Sequence, residues 1–191
     1  MAKERTTEEF ADPGDFARWL SEHHRTSAGI WMRIAKKGSA ARTATYRQAL
    51  EVALCFGWID GQKRALDDDY FLQGFSPRTA RSPWSRRNRE IAERLERKGA
   101  LETPGRAEVE RARADGRWER AYDGQARAEV PADLAAALED SPRAREFFAA
   151  LDGRNRYAAI YRVQSCVKAE TRARRIAKFV AMFEAGEKFH P

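Results

Sequence analysis

Two extended segments around an acidic turn decide the fold of this chain. Residues 58–66 read WIDGQKRAL, residues 70–76 read YFLQGFS, and Asp67-Asp68-Asp69 joins them. Aromatic and β-branched residues on both sides of a tight polar turn are typical of an antiparallel hairpin. Pro77 follows at once and is expected to end the second strand, because it has no N–H for a sheet ladder. The sequence therefore predicts a small antiparallel sheet.

Two helices and one further strand are predicted ahead of the hairpin. Asp12-Pro13 has an N-cap residue followed by a first-turn proline, so a helix is expected to run from there to about His24. Residues 30–35, IWMRIA, are short and rich in strand-forming types. Thr45 is followed three residues later by Gln48, which is the capping-box spacing and predicts a second helix.

The rest of the chain reads as helical. Ser82-Pro83 is expected to cap and begin one helix, with Trp84 in its apolar stripe, and Pro104 to Ala114 a weaker one. No strand-like run follows Trp118. The later predicted helices are residues 131–139, 141–151, 156–168 and 171–184. The fold class is therefore α+β: a small antiparallel sheet with a hairpin flanked by helices (residues 1–122), then a helical basic part (residues 123–191), the two expected to pack as one unit.

Composition excludes several classes of protein. The chain has 191 residues, of which 42% are apolar and 34% charged, a soluble globular composition. No apolar run approaches the roughly 20 residues that span a bilayer, and no apolar signal-peptide core follows the charged start. Cys55 and Cys166 are too few for a disulfide scaffold, and the three histidines show no metal-ligand spacing. We expect a cytoplasmic protein without membrane insertion, metal or cofactor; the oligomeric state stays open.

The net charge of +7 is concentrated in one segment, because residues 154–178 contain eight basic residues and one acidic residue. Such a segment attracts nucleic acid or an acidic protein through its field. The alternative is a solvated helical face whose acidic partners lie on a neighbouring helix. Arg172, Arg174 and Lys178 are the candidate partner-binding residues.

A second constellation of aromatic, basic and hydroxyl residues surrounds the predicted sheet. Aromatic rings would supply apolar area and the cations would neutralise charge, which suits an anionic or polar small molecule. The start of the helix predicted at Ser82 would add N–H donors for an anion. Lys63 is three residues from Asp60, so strand alternation places their side chains on opposite faces of the sheet unless a bulge intervenes. The candidate ligand-binding residues are Trp31, Lys36, Lys37, Tyr46, Trp58, Asp60, Lys63, Arg78, Ser82, Trp84, Ser85 and Asn88.

Structural explanations compete with this ligand site. Five tryptophans in a chain of this size belong mostly to the core, and the Asn88 side chain either holds the chain near Arg78 or lines a pocket. An ion pair between Asp60 and Arg78 would equally explain those two charges. Cys55 lies near the end of a predicted helix, where the dipole disfavours a thiolate.

Several motifs are similar to one known family. The chain resembles the YdeI/OmpD-associated, or bacteriocin-protection, family along nearly its whole length; Cys166-Val167 departs from the Ala-Lys of the family pattern. The resemblance implies a role in tolerance to antimicrobial or envelope stress, and it carries over no reaction and no catalytic residues. The motifs are Lys36-Lys37, Thr45-Tyr46, residues 54–61 (LCFGWIDG), residues 76–78 (SPR), residues 82–88 (SPWSRRN), residues 116–118 (GRW), residues 170–176 (ETRARRI) and His190-Pro191.

Three function classes follow from these observations. The first is a soluble bacterial stress or bacteriocin-protection protein that binds an anionic or polar small ligand in an aromatic and basic pocket. The second is a nucleic-acid-binding protein that uses the basic C-terminal helices. The third is an enzyme that modifies an antimicrobial, with Asp60 as base or Lys36 or Lys63 as nucleophile. The sequence contains no strong catalytic motif that would decide for the third.

Overall fold

The structure is a computed structural model and describes residues 5–191. The chain forms a sheet from its first part and is helical in its second. The strands are β1 (Thr6–Glu9), β2 (Ile30–Ala35), β3 (Trp58–Ala65) and β4 (Tyr70–Pro77). The helices are α1 (Pro13–His23), α2 (Tyr46–Cys55), α3 (Arg86–Arg97), α4 (Thr103–Ala114), α5 (Ala132–Glu139), α6 (Pro142–Ala150), α7 (Gly153–Gln164) and α8 (Ala169–Glu184).

The sheet has the strand order β1-β2-β4-β3 and confirms the predicted α+β class. β2 pairs antiparallel with β4, and β3 and β4 form the predicted hairpin. The sheet is nevertheless mixed, because β1 pairs parallel with β2. The sequence did not predict β1, whose four residues are two threonines and two glutamates. Its strand conformation depends on a distant partner and not on its own residues.

Local side-chain bonds fix the turn of the hairpin. Asp67 Oδ1 accepts the backbone N–H of Asp69 at 2.9 Å and that of Tyr70 at 2.7 Å. This is the local hydrogen bonding by which aspartate favours turns. Further along the hairpin, the register of β3 against β4 shifts between Asp60 and Lys63, which is a β-bulge. Since Asp60 pairs with Phe75 and Lys63 with Gln73, both side chains lie on the same sheet face.

The predicted helix starts are correct for α1 and α2 and wrong for α3. Asp12 caps α1, and Thr45 with Gln48 forms the full capping box of α2. α3 begins at Arg86 and is capped by Ser85, three residues later than predicted. Ser82 is unavailable as a cap because its hydroxyl accepts the N–H of Thr79 at 2.9 Å and closes a turn there.

The chain divides into two compact units, Met1–Ala121 and Tyr122–Pro191. In the first (unit 1), α1 and α2 pack on one sheet face, which contributes Ile30, Met32, Ile34 and Phe75 to the core. A second core of unit 1 joins α2, α3 and α4. We call the sheet face under α1 and α2 the inner face and the opposite one the outer face.

The second unit (unit 2) contains helices α5 to α8 around a core of its own, which includes Leu134, Phe148 and Phe183. α7 begins at Gly153, three residues earlier than predicted, because Asp152 caps it by accepting the N–H of Asn155 at 2.8 Å. Among the described residues, no helix is long and apolar enough to cross a membrane.

Candidate functional site

Two side chains donate to the carboxylate of Asp60 on β3, and a third bonds one of these two. The hydroxyl of Tyr46, at the start of α2, donates to Asp60 Oδ2 at 2.7 Å. The amide Nδ2 of Asn88, on α3, donates to Asp60 Oδ1 at 3.2 Å. Arg87 completes the group, because its Nη1 donates to the Tyr46 hydroxyl at 3.4 Å. We call these four residues the Asp60 cluster.

The phenol of Tyr46 is held in its protonated form in this cluster. Burial, the hydrogen bond to Asp60 and the negative charge of Asp60 together raise the pKa of Tyr46 to about 12, against a smaller opposing effect of Arg87. At neutral pH the hydroxyl therefore acts as a donor to the carboxylate. A general base would need a pKa near the working pH, so Tyr46 does not fit that role.

Ser85 and Asn88 connect the cluster to the start of α3. The Ser85 hydroxyl accepts the Asn88 N–H at 3.1 Å, which is the N-cap bond of the helix. Asn88 is only 5% exposed, and its amide is satisfied by Asp60. A buried amide needs such a partner. This bond holds α3 against β3. The partner of the Asn88 amide is therefore Asp60 and not the chain near Arg78, as one of the two alternatives had it.

Arg78 stacks on Trp84, and Ser82 belongs to the turn between them. Arg78 is 6% exposed, its guanidinium carbon lies 3.5 Å from the centroid of the Trp84 ring, and its Nη1 donates to the Pro83 carbonyl at 3.2 Å. Trp84 packs edge-on against Trp118, with 4.8 Å between ring centroids. The expected N–H donors of a helix start are not at Ser82, because α3 begins beyond it and Ser85 caps it.

The three predicted lysines line one opening on unit 1. Lys36 and Lys37 follow β2, Lys63 lies on β3 beyond the bulge, and the three border a cleft of about 620 Å³ with Ala65 and Phe71. The ammonium of Lys63 lies 4.0 Å from the centroid of the Phe71 ring. We call this opening the lysine cleft. An adjoining cleft of about 600 Å³ shares Lys36 and Lys37 and adds other residues, among them Arg42, which the sequence reasoning missed.

The acidic turn of the hairpin orients one of these lysines. The Lys36 ammonium donates to the Asp67 carbonyl at 2.5 Å, and the Lys36 N–H donates to the Asp69 carbonyl at 2.7 Å. Within residues 5–191, neither Lys37 nor Lys63 forms an ion pair with a carboxylate. Two exposed positive charges at the cleft are thus available to an anion.

The two remaining aromatic candidates lie apart from the cleft. Trp58 is 1% exposed, belongs to the core under the sheet, and donates from Nε1 to the His24 carbonyl at 3.3 Å. Trp31 lies on the outer face, where it pairs with Gly74 and contacts Arg64. The structure therefore distributes the twelve predicted residues over the Asp60 cluster, the Ser85 cap of α3, the stack of Arg78 on Trp84 with the adjacent turn at Ser82, the lysine cleft, the core and the outer face.

In unit 2, the basic segment is partly engaged in internal contacts. Arg172 binds Asp133 through two bonds of 2.5 and 2.8 Å and also donates to the Val163 carbonyl at 2.9 Å. The hydrogen bond and positive charge of Arg172 lower the pKa of Asp133. Arg174 and Lys178 are exposed on α8.

Groups suited to metal or nucleophilic chemistry are scarce in the described part of the chain. No three His, Cys, Asp or Glu side chains among residues 5–191 are placed to hold a metal ion. Burial, followed by the negative charges of Glu102 and Glu51, raises the pKa of Cys55 to about 11. The thiol is therefore protonated at neutral pH and is a poor nucleophile.

Comparison with known proteins identifies two families along the chain. Residues 8–108, which include the Asp60 cluster and the lysine cleft, match a family described as a domain of unknown function (DUF8412). Residues 127–186 match the family described as bacteriocin-protection, YdeI or OmpD-associated, which confirms the suspected family for this part of the chain. The motifs quoted between Lys36 and Trp118 lie outside that match, so the resemblance does not extend over nearly the whole length as expected. No curated protein and no solved structure gives a significant match. The chain thus belongs to the DUF8412 family, whose model matches about half of its length, and its residues 127–186 are similar to the bacteriocin-protection, YdeI or OmpD-associated family.

Proposed function

We propose that the chain is a protection protein against bacteriocins or related stress, and that unit 1 contributes by binding an anionic small molecule in the lysine cleft. One observation carries the proposal. Lys37, which follows β2, and Lys63, which lies on β3, share one opening and have no carboxylate partner within residues 5–191.

The cleft offers an anion both charge and apolar contact. Two ammonium groups provide charge-assisted hydrogen bonds, which are roughly twice as strong as neutral ones. The Phe71 ring beside Lys63 gives the carbon skeleton of a ligand a surface to pack on. The volume of about 620 Å³ is in the usual range for a small-molecule site. A carboxylate or phosphate ester with some apolar area fits this environment best.

The Asp60 cluster supports the proposal as a scaffold. Its bonds join α2, β3 and α3, so they fix the strand that carries Lys63 relative to the helices. The raised pKa values of Tyr46 and Cys55 speak against an acid–base or nucleophilic role for these two residues. The enzyme alternative rests on other residues, Asp60, Lys36 and Lys63, and we propose binding without turnover because the sequence contains no strong catalytic motif.

The proposal is tested by thermal unfolding in the presence of pyrophosphate and citrate as probes. A ligand that binds only the folded state raises the melting temperature in a concentration-dependent way. Lys37→Ala and Lys63→Ala are expected to weaken the binding of the effective probe by about tenfold each, since a charged hydrogen bond contributes about 1.5–3 kcal/mol. Lys98→Ala removes an equal charge from an exposed lysine of the same unit and serves as control.

Two outcomes would contradict the proposal. One is a melting temperature that neither probe raises. The other is equal stabilisation of wild type and of the Lys37→Ala/Lys63→Ala double variant. A mass change in an added antimicrobial during incubation with the protein would instead favour the enzyme alternative. In cells exposed to a bacteriocin, wild-type protein is expected to raise survival and the double variant is not.

A further inference from the structure

The outer face of the sheet carries two stacks of arginine on an aromatic ring. The guanidinium carbon of Arg64 lies 4.0 Å from the centroid of the Trp31 ring. That of Arg33 lies 4.2 Å from the centroid of the Tyr70 ring. Strand pairing places all four residues on the face opposite α1 and α2. We call this surface the arginine–aromatic face.

A glycine leaves room for the Trp31 ring of the first stack close to β4. Gly74 pairs with Trp31, and a Cβ at this position would lie 3.4 Å from Cζ3 of Trp31 and 3.1 Å from Nη1 of Arg5. Any larger residue would push both side chains outward. A glycine inside a strand weakens it and often marks a close approach of another group. Here that group is the indole ring, with Arg5 beside it.

The positive charge of this face is only partly neutralised within residues 5–191. Glu9 forms an ion pair with Arg33, with Oε2 at 3.4 Å from Nε. Arg5 and Arg64 form no ion pair with any carboxylate of residues 5–191. Both guanidinium groups lie within 6 Å of the same indole ring. The surface thus combines aromatic rings with two guanidinium groups, those of Arg5 and Arg64, whose charge no carboxylate of residues 5–191 balances.

We propose that the arginine–aromatic face binds single-stranded nucleic acid. Bases of a single strand stack on aromatic rings and on guanidinium planes, while arginines neutralise the phosphates. Trp31 and Arg33 are two residues apart on β2, so the two stacks are about 7 Å apart along the strand and offer successive platforms. An acidic peptide would satisfy the charges but would not need the two arginine–aromatic stacks. Single-stranded nucleic acid fits both features of the face, the charges and the stacks.

The proposed binding differs in location from the anion binding of the lysine cleft. Lys63 lies on the inner face and the neighbouring Arg64 on the outer face, as their pairing with Gln73 and Leu72 shows. It also differs from the basic helices of unit 2, because no residue of α7 or α8 takes part. If one proposal is refuted, the other can still be tested, because the lysine cleft is probed by the Lys37 and Lys63 variants and the arginine–aromatic face by variants of Trp31 and Arg64.

The test is fluorescence anisotropy of a labelled uridine oligonucleotide and a labelled thymidine oligonucleotide with the full chain at several salt concentrations. Trp31→Ala is expected to weaken binding by about tenfold or more, since stacking on one aromatic ring is lost. Trp31→Phe keeps a ring and is expected to retain most of the affinity. Arg64→Glu is expected to weaken binding similarly and to lower the salt dependence by roughly one counterion.

Arg81→Glu is the matched control, because it makes the same charge change at another exposed arginine of unit 1. Three results would overturn the proposal. These are no binding of either oligonucleotide, an equal loss in the Arg81 and Arg64 variants, and equal or tighter binding of a duplex or a mononucleotide. The Arg64 variant tests an exposed side chain, so the proposal stays falsifiable if Trp31→Ala does not fold.

Discussion

Replacing Gly105 by alanine is expected to destabilise unit 1 although alanine is the better helix former. Gly105 is buried in the first turns of α4, where the helix crosses the end of α2. A Cβ at this position would lie 2.2 Å from the Cys55 carbonyl oxygen and 2.7 Å from that of Leu54. Both obstacles are backbone atoms, so no side-chain rotation relieves the overlap and one of the two helices has to shift.

The size of the effect follows from two opposing contributions. Alanine in place of glycine favours an α-helix by about 1 kcal/mol, whereas forcing atoms into a packed contact costs about 1–3 kcal/mol and occasionally more. Because the overlap is with backbone, we expect the upper part of that range and a net loss of about 2 kcal/mol. The melting temperature should then fall by on the order of 8 °C.

Intrinsic tryptophan fluorescence is the appropriate assay, because all five tryptophans lie in unit 1. Thermal and urea unfolding of Gly105→Ala are compared with wild type and with Gly61→Ala. At Gly61 the nearest atom to an added Cβ is 3.7 Å away, which is an ordinary contact. An unchanged or raised melting temperature for Gly105→Ala would show that the close crossing of α2 and α4 is not required.

Three further predictions concern charged and titratable groups. Arg172→Ala is expected to destabilise unit 2 because it breaks the bonds to Asp133 and the Val163 carbonyl, whereas Arg174→Ala should change its urea midpoint little, since exposed charges contribute about 0–1 kcal/mol; equal effects would contradict this. Arg172 lowers the pKa of Asp133, so the stability advantage of wild type over Asp133→Asn should be present above the ordinary value of 3.8 and vanish as pH falls through the lowered value; an advantage that persists in acid argues against the ion pair. With a pKa of about 11, Cys55 in the folded chain should react slowly with iodoacetamide at pH 8 and faster as pH approaches 11, and rapid reaction at pH 8 would refute its burial.

Local signals in the sequence predicted the elements whose causes are local. The capping box of Thr45 and Gln48 involves residues three apart, and both of its hydrogen bonds form. The hairpin is closed by Asp67, which bonds N–H groups two and three residues ahead. Such interactions leave their mark in a short stretch of residues, so reading that stretch is enough to predict them.

Elements that depend on distant partners were missed or misplaced. β1 consists of polar residues and exists because Thr6 to Glu9 pair with Ile30 to Arg33. The start of α3 was placed three residues too early, since Ser82 and Ser85 have equal capping ability in the sequence. In the structure the Ser82 hydroxyl accepts the N–H of Thr79 in a turn. Ser85 therefore caps the helix by accepting the N–H of Asn88.

The candidate site shows the same division between local and distant causes. The sequence gathered Tyr46, Asp60 and Asn88 into one group, and in the structure both Tyr46 and Asn88 donate to the carboxylate of Asp60. It did not include Arg87, which completes the cluster, although Arg87 precedes Asn88 directly. Nor did it place Arg64 on Trp31, because that contact depends on the pairing of three strands.

The bulge in β3 is the feature that assigns charges to the two sheet faces. Gln73 lies on β4 and is 4% exposed, and its Nε2 donates to the Gly61 carbonyl at 2.9 Å. It thereby provides a hydrogen-bond donor for a backbone carbonyl at the bulge, where the regular pairing of β3 with β4 is interrupted. With one extra residue accommodated there, Lys63 returns to the face of Asp60 and Arg64 goes to that of Trp31. In a regular strand the two cations would exchange faces, since side chains alternate. The lysine cleft would then lose Lys63, and the indole of Trp31 would lose its guanidinium. A buried glutamine on a neighbouring strand therefore supports both proposed binding surfaces, although it lines neither of them.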